Sequence, residues 1–385
     1  MIDSVIYFDN AATTPMSLDV FERMKVACID KFGNPSSTHP AGKESRLLVQ
    51  LSRQKISSLI GCDEDELLFT SGGTESNNLA LIGVFHQMRE QNKNHIVCSS
   101  IEHKSVLETI SKLRESGAKV SFVPCDKNGY VSATAVLNAI RKDTGLVSVG
   151  LVNGETGVIQ PIQKIAKSLT ERRVVFHCDA VQALGKIAFN CHLIGADIMS
   201  FSGHKLHGPK GVGALYIKHG THIKPLIFGG AQERGQRAGT ENVAGIVGFE
   251  VALEKILSDH ERHSNHVLKL KNKLKKRLRE IKGVIINSDV NKASPYILNV
   301  SFNAVNGALL HKMLAERGIC VSSGSACNSE SQIPSPVLLS MGISKPLAQS
   351  SVRFSFSYLN TKDEVNYVIE QCFYIMRVLQ NFENA

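Results

Sequence analysis

Two residues of this 385-residue chain, Lys205 and Asp179, have types and positions that suggest chemistry, because each lies at the end of an apolar run. Lys205 lies in SFSGHKLHGPKGVG (200–213), where a tight glycine-rich turn would partly desolvate its amine. A desolvated lysine amine can form a Schiff base with an aldehyde, although most loop lysines are ordinary surface residues. Asp179 lies near the end of the run VVFHCDA (174–180). A carboxylate at a buried strand end needs a cation or several donors, and an aspartate that caps a loop is the commoner alternative.

A glycine-rich turn, TSGGTESN (70–77), joins another apolar run to a helical stretch. Gly73 would let an anion approach the backbone, and Thr74 would open the helix, where free N–H groups and the helix dipole bind anions. This signal is weak alone, because a Gly-Gly turn before a capped helix is common. Combined with a lysine and a strand-end aspartate, it meets the requirements of pyridoxal 5′-phosphate, which needs an amine, a carboxylate for its ring nitrogen and a phosphate site.

Cys327 lies in CVSSGSACNSES (320–331), a run of small residues that predicts an exposed, mobile segment. Such a segment packs poorly but can deliver a thiolate nucleophile. The other eight cysteines lie mostly in apolar or helical surroundings and are predicted to be unreactive. Because the cysteines are scattered without a CxxC pair, we expect neither a disulfide framework nor a metal site, and a reducing cytoplasm is favoured.

The elements that would position these residues alternate from about residue 44 to 260. Apolar runs bounded by turns and separated by helices predict a mostly parallel α/β sheet, in which chemistry gathers at the carboxyl ends of the strands. The predicted strands are 66–70, 95–100, 119–124, 146–152, 174–180 and 197–203. After about residue 260 the pattern changes to a long polar helix (259–282) followed by short strands and helices, which predicts a second, α+β domain.

Composition excludes several classes of protein. Apolar residues make up 43% of the chain and charged residues 21%, as expected for a globular protein with a large core rather than a disordered or collagen-like chain. No apolar run approaches the length of a membrane helix, which needs about 18 residues. The first residues lack the basic and apolar regions of a signal peptide.

The formal net charge of +9 is concentrated in one segment, residues 267–282, which holds eight basic residues and one acidic residue. Apolar residues recur there at helical spacing, which predicts an amphipathic helix with a basic outer face. The apolar stripe consists of Val267, Leu270, Leu274, Leu278 and Ile281. A solvated face is the simpler interpretation, and docking of an acidic protein through Lys271, Lys275 and Arg279 is the alternative. We do not expect direct nucleic-acid binding.

The chain resembles the cysteine desulfurases of the group I, NifS/IscS-like branch of the class V aminotransferases. The resemblance runs nearly end to end through motifs that occur in order. These are YFDNAATTP (7–15), GNPSSTH (33–39), SGGTESNN (71–78), EHKSV (102–106), NGETGVIQP (153–161), HCDAVQALGK (177–186), SGHKLHGPKGVG (202–213), GGAQERGQRAGTEN (229–242) and SSGSAC (322–327).

This resemblance implies a fold, a cofactor and an assembly. The fold would be that of the type I pyridoxal phosphate-dependent transferases, an α/β fold with a mostly parallel sheet, assembled as a homodimer. Residues 16–260 would form the large, cofactor-binding domain. Residues 1–15 together with 261–385 would form a smaller α+β domain that carries the segment with Cys327.

The resemblance also implies a role for each cofactor-binding residue. Lys205 would attach to the aldehyde, Asp179 would pair with the ring nitrogen, and Gln182 would bond to the phenolic oxygen. His103 would stack on the ring and assist proton transfers. The phosphate would be bound by Thr74, Ser202 and His204, with Thr240 arriving from the other subunit.

The implied reaction converts L-cysteine to L-alanine. Asn153 and Arg353 would hold the substrate carboxylate, Lys205 would remove a Cα proton, and Cys327 would take the sulfur as a persulfide. The sulfur would then pass to an acceptor protein for iron–sulfur assembly, tRNA thiolation or DNA phosphorothioation. Asn328 replaces the threonine that usually follows the cysteine, a polar exchange expected to affect loop dynamics rather than the nucleophile.

Three alternatives stay open at the level of sequence. The chain could be another class V enzyme, either a selenocysteine lyase or an aminotransferase, or it could be a silent scaffold subunit. The cysteine in its SSGSAC setting disfavours an aminotransferase, and the intact lysine and aspartate disfavour a scaffold. Metal binding by His260, His263 and His266 is a weaker alternative, since histidines at this spacing usually decorate a solvated helix face.

Overall fold

The computed structural model describes residues 5–288, 293–323 and 333–383. Cys327 and Asn328 therefore lie outside the described residues. The helices are α1 (Leu18–Ile29), α2 (Pro40–Ile60), α3 (Gly73–Arg89), α4 (Lys104–Glu115), α5 (Ala133–Asn138), α6 (Ile162–Leu169), α7 (Cys191–Ile194), α8 (Val243–Ser258), α9 (His260–Leu278), α10 (Gly307–Glu316), α11 (Pro336–Ser340), α12 (Lys345–Gln349) and α13 (Lys362–Glu383).

The strands form three sheets. They are β1 (Ile6–Tyr7), β2 (Leu67–Thr70), β3 (His95–Ser99), β4 (Lys119–Val123), β5 (Thr144–Ser148), β6 (Val175–Asp179), β7 (Ile198–Ser202), β8 (Gly213–Ile217), β9 (Val284–Ile286), β10 (Ile297–Phe302), β11 (Ile319–Cys320) and β12 (Ser351–Ser355). The central sheet has seven strands in the order β2-β8-β7-β6-β5-β3-β4.

The central sheet is parallel except for β8, which pairs antiparallel with both β2 and β7. All six predicted strands are present, and the predicted mostly parallel sheet is confirmed. The strand predicted at 146–152 instead begins at Thr144 and ends at Ser148. Strand β8 was not predicted, because it follows β7 through a turn of glycine and proline without the helix that marks a parallel crossover.

Both faces of the central sheet are buried, because alternate residues of each strand point to opposite faces. In β2, Leu67 and Phe69 pack in a core with α2, α6 and α8, whereas Leu68 packs in a core with α3 and α4 on the other face. Covering helices on both faces leave the ends of the strands as the places where polar chemistry can reach solvent. Among the described residues, no helix has the length and apolarity needed to cross a membrane.

A separate core lies among the elements after residue 260. It packs α9 and α13 against the antiparallel sheet β12-β10-β9 and is built around residues such as Leu274, Leu298, Phe354 and Ile369. Phe8, from the N-terminal segment, also belongs to this core. The segment is held there because β1 pairs in parallel with β11. The division of the chain into two domains near residue 260 stays a proposal.

The basic helix α9 corrects one prediction and confirms another. The predicted apolar stripe is buried along its whole length. However, Lys271 and Lys275 do not lie on an outer face, since they are only 4% and 9% exposed. The ammonium of Lys271 donates a hydrogen bond of 2.7 Å to the carbonyl of Ser294. The two lysines flank the stripe, where long aliphatic stems pack against the core, and the exposed basic side chains of this region are Lys269, Lys276, Arg277, Arg279 and Lys282.

The glycine-rich stretch 228–242 is tied to the edge of the central sheet by one buried carboxylate. Glu233 accepts hydrogen bonds of 2.6 and 3.0 Å from the guanidinium of Arg53 and one of 2.9 Å from the amide of Phe69. Its side chain is 3% exposed, so these partners replace the water that the carboxylate has lost. Together with the hydrogen bond of 2.9 Å from Arg234 to the carbonyl of Leu67, the pair holds this stretch against β2.

Replacing Glu233 by alanine should therefore destabilise the fold. The change leaves the Arg53 charge and the Phe69 amide without their acceptor in a buried place, which typically lowers the free energy of unfolding by about 3 kcal/mol. Urea unfolding followed by circular dichroism measures this loss. Glu254→Ala is the control, because its pair with Lys55 is half exposed and should matter far less. Equal losses in the two variants would contradict the account of Glu233.

Candidate active site

A cavity of about 360 Å³ lies at the carboxyl ends of the central strands. It is walled by residues of the N-terminal segment, the start of α3, the turns after β3, β5, β6 and β7, and residues of α11 and β12. Ten of the twelve residues proposed for the site line this cavity. They are Gly73, Thr74, His103, Asn153, Asp179, Gln182, Ser202, His204, Lys205 and Arg353.

The other two predicted residues are not brought to the cavity. Thr240 is exposed and is not one of the residues that line it in this chain, which agrees with its expected place in a second subunit. Cys327 lies outside the described residues. The roles given to all twelve residues from the sequence stay predictions.

Lys205 ends a short 3₁₀ turn (Gly203–Lys205) that directly follows β7. Its ammonium donates hydrogen bonds of 2.7 and 2.6 Å to the carbonyls of Ala11 and Ala12. The N-terminal segment thus holds the amine at the cavity wall. An amine held by two carbonyls in a partly buried place is positioned to react with an aldehyde that enters the cavity.

Asp179 is the last residue of β6, and both of its oxygens are occupied. One accepts a hydrogen bond of 3.0 Å from the amide of Val181, and the other accepts one of 2.8 Å from the side chain of Asn77. Asn77, on α3, also donates to Ser105 at 2.9 Å. Sequence reasoning missed Asn77, although its place one turn after the Gly-Gly motif puts it on the helix face that meets β6. The network holds the carboxyl group of Asp179 at the cavity, where its oxygens can accept a hydrogen bond from a protonated ring nitrogen.

The start of α3 forms the anion-binding side of the cavity. Gly72 has φ of 148°, a conformation that favours glycine, and a Cβ on Gly73 would lie 2.8 Å from a methyl of Val181. The two glycines therefore let the backbone pass close to other residues of the same chain. They also leave the N-terminus of the helix without a side-chain cap. Thr74 stands in this first turn, and the buried Ser202 faces the same cavity. Free backbone N–H groups with two hydroxyls suit a phosphate.

Two histidines at the cavity are kept neutral by burial. Desolvation, followed by the charge of Lys205, lowers the pKa of His204 to about 4. Its Nδ1 lies 3.1 Å from the hydroxyl of Thr13. Desolvation also lowers the pKa of His103, the N-cap of α4, although this residue is exposed at the mouth of the cavity. A neutral imidazole can accept a proton at neutral pH, as a residue that assists proton transfer must.

Two polar side chains approach the place predicted for a substrate carboxylate. Arg353 donates to the carbonyl of Gly154 at 2.9 Å and to Asp9 at 2.7 Å. Its Nε is buried and, among the described residues, makes no hydrogen bond. Asn153 donates to the carbonyl of Ile101, in the turn after β3, at 2.9 Å, and it accepts from two backbone amides of its own turn. Only one amide hydrogen of Asn153 is left for a ligand.

Two buried carboxylates lie at the cavity, and no role was predicted for either from the sequence. Glu102 accepts from Ser99 and, at 2.9 Å, from the amide of Gly150. Burial raises its pKa to about 7, with a smaller contribution from the charge of Asp179. Burial also raises the pKa of Glu155, which accepts from the hydroxyl of Ser335. Glu102 belongs to the motif EHKSV and Glu155 to NGETG, which was the available signal, but no spacing rule indicates their burial.

The metal alternative is not supported on α9. His263 is buried and stacks on Tyr358 with a ring separation of 4.2 Å, so the predicted solvated face was wrong at this position. His266 lies 2.8 Å from the carbonyl of Asn360. Among the described residues, the groups of donor atoms close enough to share an ion lie elsewhere, around Asp63.

The relatives of the chain decide the family. The model of the aminotransferase class-V family matches residues 6–368. The chain belongs to the aminotransferase class-V family. It is 42% identical to a cysteine desulfurase IscS of Dictyoglomus turgidum, over 95% of this chain and 93% of the relative. It is 42% identical to a cysteine desulfurase IscS of Methanosarcina thermophila, over 98% and 94% of the two chains. The resemblance found in the sequence is confirmed.

Three solved structures share the fold of this chain. A NifS-like protein superposes with a TM-score of 0.91 at 38% identity, covering 98% of this chain and all of the other. SspA in complex with cysteine gives 0.83 at 36% identity, covering 92% and 99% of the two chains. DndA from Streptomyces lividans gives 0.78 at 34% identity, covering 93% and 99%. The predicted fold class is therefore confirmed.

The raised pKa of Glu102 predicts a pH-dependent stability. Between the ordinary pKa near 4.5 and its folded value of about 7, the folded protein keeps a proton that the unfolded chain has lost. This contribution to stability is complete below the ordinary value and is lost as the pH rises through 7. Relative to Glu102→Gln, the wild type should lose on the order of 3 kcal/mol between about pH 4.5 and 7.

Urea unfolding of the two proteins at several pH values measures this difference. The exposed Glu115, varied to glutamine, is the control and should keep a pH profile parallel to that of the wild type. Parallel profiles for wild type and Glu102→Gln would show that Glu102 is ionised in the folded protein.

Proposed function

We propose that this protein is a pyridoxal phosphate-dependent cysteine desulfurase, which converts L-cysteine to L-alanine and keeps the sulfur as a persulfide on Cys327. One observation carries the proposal. A lysine amine, a strand-end carboxylate and a bare helix N-terminus meet in one cavity, with Arg353 on the wall provided by β12. The full-length similarity to relatives named cysteine desulfurase supports the same activity.

The donor set of the cavity fits pyridoxal phosphate. When bound, this cofactor supplies an aldehyde for covalent attachment and a ring that stores the electrons released from a substrate. Lys205 would hold the aldehyde, Asp179 the ring nitrogen and Gln182 the ring oxygen. The first turn of α3, with Thr74, Ser202 and His204, would hold the phosphate, together with Thr240 from a second copy of the chain.

The protein's own residues would then act on L-cysteine in order. Arg353 holds the substrate carboxylate through the guanidinium hydrogens that Asp9 and Gly154 leave free. With the cofactor bound, the Lys205 amine would remove the Cα proton, and the neutral His103 would assist later proton transfers. The thiolate of Cys327 would attack the substrate sulfur, so that an S–S bond forms as the C–S bond breaks. The carbon skeleton would take up one proton at Cβ, regain one at Cα and leave as L-alanine.

The described residues on either side of Cys327 lie at this cavity. The backbone of Ser322 pairs with that of Arg353, and the hydroxyl of Ser335 donates to Glu155. Arg353 and Glu155 both line the cavity. Cys327 follows Ser322 by five positions in the sequence, and five residue steps span at most about 17 Å. This short separation along the chain from the cavity wall supports Cys327 as the nucleophile.

Four of the eight cysteines that the structure describes are poor candidates for this role. These four are buried, and burial raises the pKa of each thiol, so that the reactive thiolate is disfavoured. They are Cys98, Cys178, Cys191 and Cys372. The eight described cysteines are free thiols, which supports our proposal of a reducing, cytoplasmic location.

Other functions have weaker support. A selenocysteine lyase or an aminotransferase would use the same cofactor site, but the similarity to relatives named cysteine desulfurase and the SSGSAC motif both favour a desulfurase. A silent scaffold would not need the amine, carboxylate and helix N-terminus to meet in one cavity. The acceptor of the sulfur is proposed only as a protein, and Fe–S assembly, tRNA thiolation and DNA phosphorothioation are its candidate pathways.

A homodimer is the proposed assembly. Helices α1 and α2 both pack on α8 and expose large apolar side chains, among them Leu18 at 79% and Leu47 at 53%, and Phe32 follows α1 at 74%. Exposed apolar groups in such number mark a protein–protein contact. A second copy on this side would also supply the Thr240 that one chain does not bring to its own cavity.

Single variants can separate cofactor chemistry from sulfur transfer. Lys205→Ala should lose both the yellow colour of bound cofactor and all alanine formation. Cys327→Ser should keep the colour but release no sulfide from L-cysteine with a reductant. Absorbance, alanine and sulfide are measured on purified protein, with Cys28→Ser as the matched control. Sulfide release by Cys327→Ser at the wild-type rate would contradict the assigned nucleophile.

A charge on the apolar surface should separate the subunits. Phe32→Asp places a carboxylate in the proposed contact, so sedimentation equilibrium should give the monomer mass where the wild type gives twice that mass. The loss of the second subunit's Thr240 should also weaken cofactor binding. Leu193→Asp, at an apolar side chain that is also 74% exposed but lies on α7, should remain dimeric. A monomeric wild type with full activity would refute the proposed assembly.

A further inference from the structure

Lys186 is a buried lysine that the proposed reaction does not use. It belongs to the turn that follows β6, it is 4% exposed, and it lies beside the cavity without lining it. Its ammonium donates a hydrogen bond of 2.7 Å to Oε1 of Gln182. A buried ammonium needs a reason to be kept, because burial without a counter-charge is costly.

The neighbours of Gln182 allow only one orientation of its amide. Nε2 donates a hydrogen bond of 2.8 Å to the carbonyl of Ala11, which has no hydrogen to give, while Oε1 accepts one from Lys186. A carbonyl is only an acceptor and an ammonium is only a donor, so a flipped amide would face both partners with the wrong atom. The second hydrogen on Nε2 is left for the cavity. The Ala11 carbonyl also accepts from Lys205, so Gln182 and the reactive amine share one acceptor.

We propose that Lys186 is a positioning residue that acts through Gln182, fixing the amide so that it presents a hydrogen-bond donor, never an acceptor, to the ring oxygen of the cofactor. The inference rests on the proposed function, since it concerns how the cavity holds pyridoxal phosphate. A fixed donor favours the anionic form of the ring oxygen over its protonated form. A second cation close behind the amide adds to the same preference.

The surroundings of Lys186 support a role that depends on its charge. Burial is the largest cause that lowers the pKa of Lys186 to about 7, and the charges of Lys205 and Arg353 lower it further. The neutral His204 and His207 also face it. These neighbours are cations or neutral rings, so an anion that enters the cavity is the group that stabilises the protonated lysine.

Lys186→Met tests the proposal, because methionine keeps an apolar stem of similar length and removes the donor. Pyridoxal phosphate is titrated into apoprotein, and its affinity should fall roughly 10-fold, the usual effect of losing one charge-assisted hydrogen bond. The pH midpoint of the visible absorption of the bound cofactor should move upward. The donor and the cation both favour the anionic oxygen that remains when the cofactor–lysine linkage loses its proton.

Lys271→Met is the matched control. Lys271 is also 4% exposed and also donates one hydrogen bond of 2.7 Å, to Ser294, but it lies in the core after residue 260. The Lys271→Met variant should be less stable, but its affinity for pyridoxal phosphate and the pH midpoint of the cofactor absorption should not change. A purely structural role for Lys186 would make the two variants alike, and that result would overturn the proposal.

The variant Gln182→Leu provides a second, independent test. It removes the same donor to the ring oxygen, so its pH midpoint should also rise, and adding Lys186→Met to it should change affinity by less than twofold because the two residues act as one unit. Full additivity would overturn the inference. Wild-type apoprotein that takes up no cofactor would overturn the proposed function as well, whereas normal uptake by wild type and Lys186→Met alike would overturn this inference alone.

Discussion

The carbonyl of Ala11 is the acceptor on which the arrangement of the cavity depends. It receives hydrogen bonds from both Lys205 and Gln182, and it belongs to a segment whose other residues pack in a different core. Phe8 lies in the core after residue 260, and Asp9 bonds to Arg353. The N-terminal segment therefore joins the amine that follows β7 to the guanidinium on β12. The hydrogen bond from Arg353 to the carbonyl of Gly154 adds a direct link between β12 and the turn after β5.

Desolvation sets the charges of the groups around this acceptor. Burial keeps His204 and His103 neutral, holds a proton on Glu102 up to a pKa of about 7 and lowers the pKa of Lys186 to about 7. The parallel sheet is the cause, because helices cover both of its faces and leave only the strand ends for polar groups. The pKa values of Glu102 and Lys186 are thereby both brought to about 7. That is the condition under which proton transfers between side chains and substrate are efficient.

Much of this could be predicted from the sequence, for identifiable reasons. Asp179 and Lys205 follow apolar runs, and the carboxyl ends of parallel strands meet at one edge, so their meeting followed from the pattern. The contacts of Asn77, Lys186 and Glu102 could not be predicted, since they depend on how α3 and the turns after β3 and β6 lie in space. Charge patterning also misled: Lys271 and Lys275 look like an outer face by spacing but are buried, because a lysine stem beside an apolar stripe can pack as a hydrophobic residue does.

The central claim is that sulfur leaves L-cysteine by transfer to one protein thiol while the carbon skeleton leaves as alanine. A single turnover with sulfur-labelled L-cysteine, followed by intact-protein and peptide mass spectrometry without reductant, tests it most directly. The account predicts one labelled sulfur atom for each alanine formed, located on the peptide that contains Cys327. Alanine formed with the label free in solution from the start, or with the label on another cysteine, would contradict it.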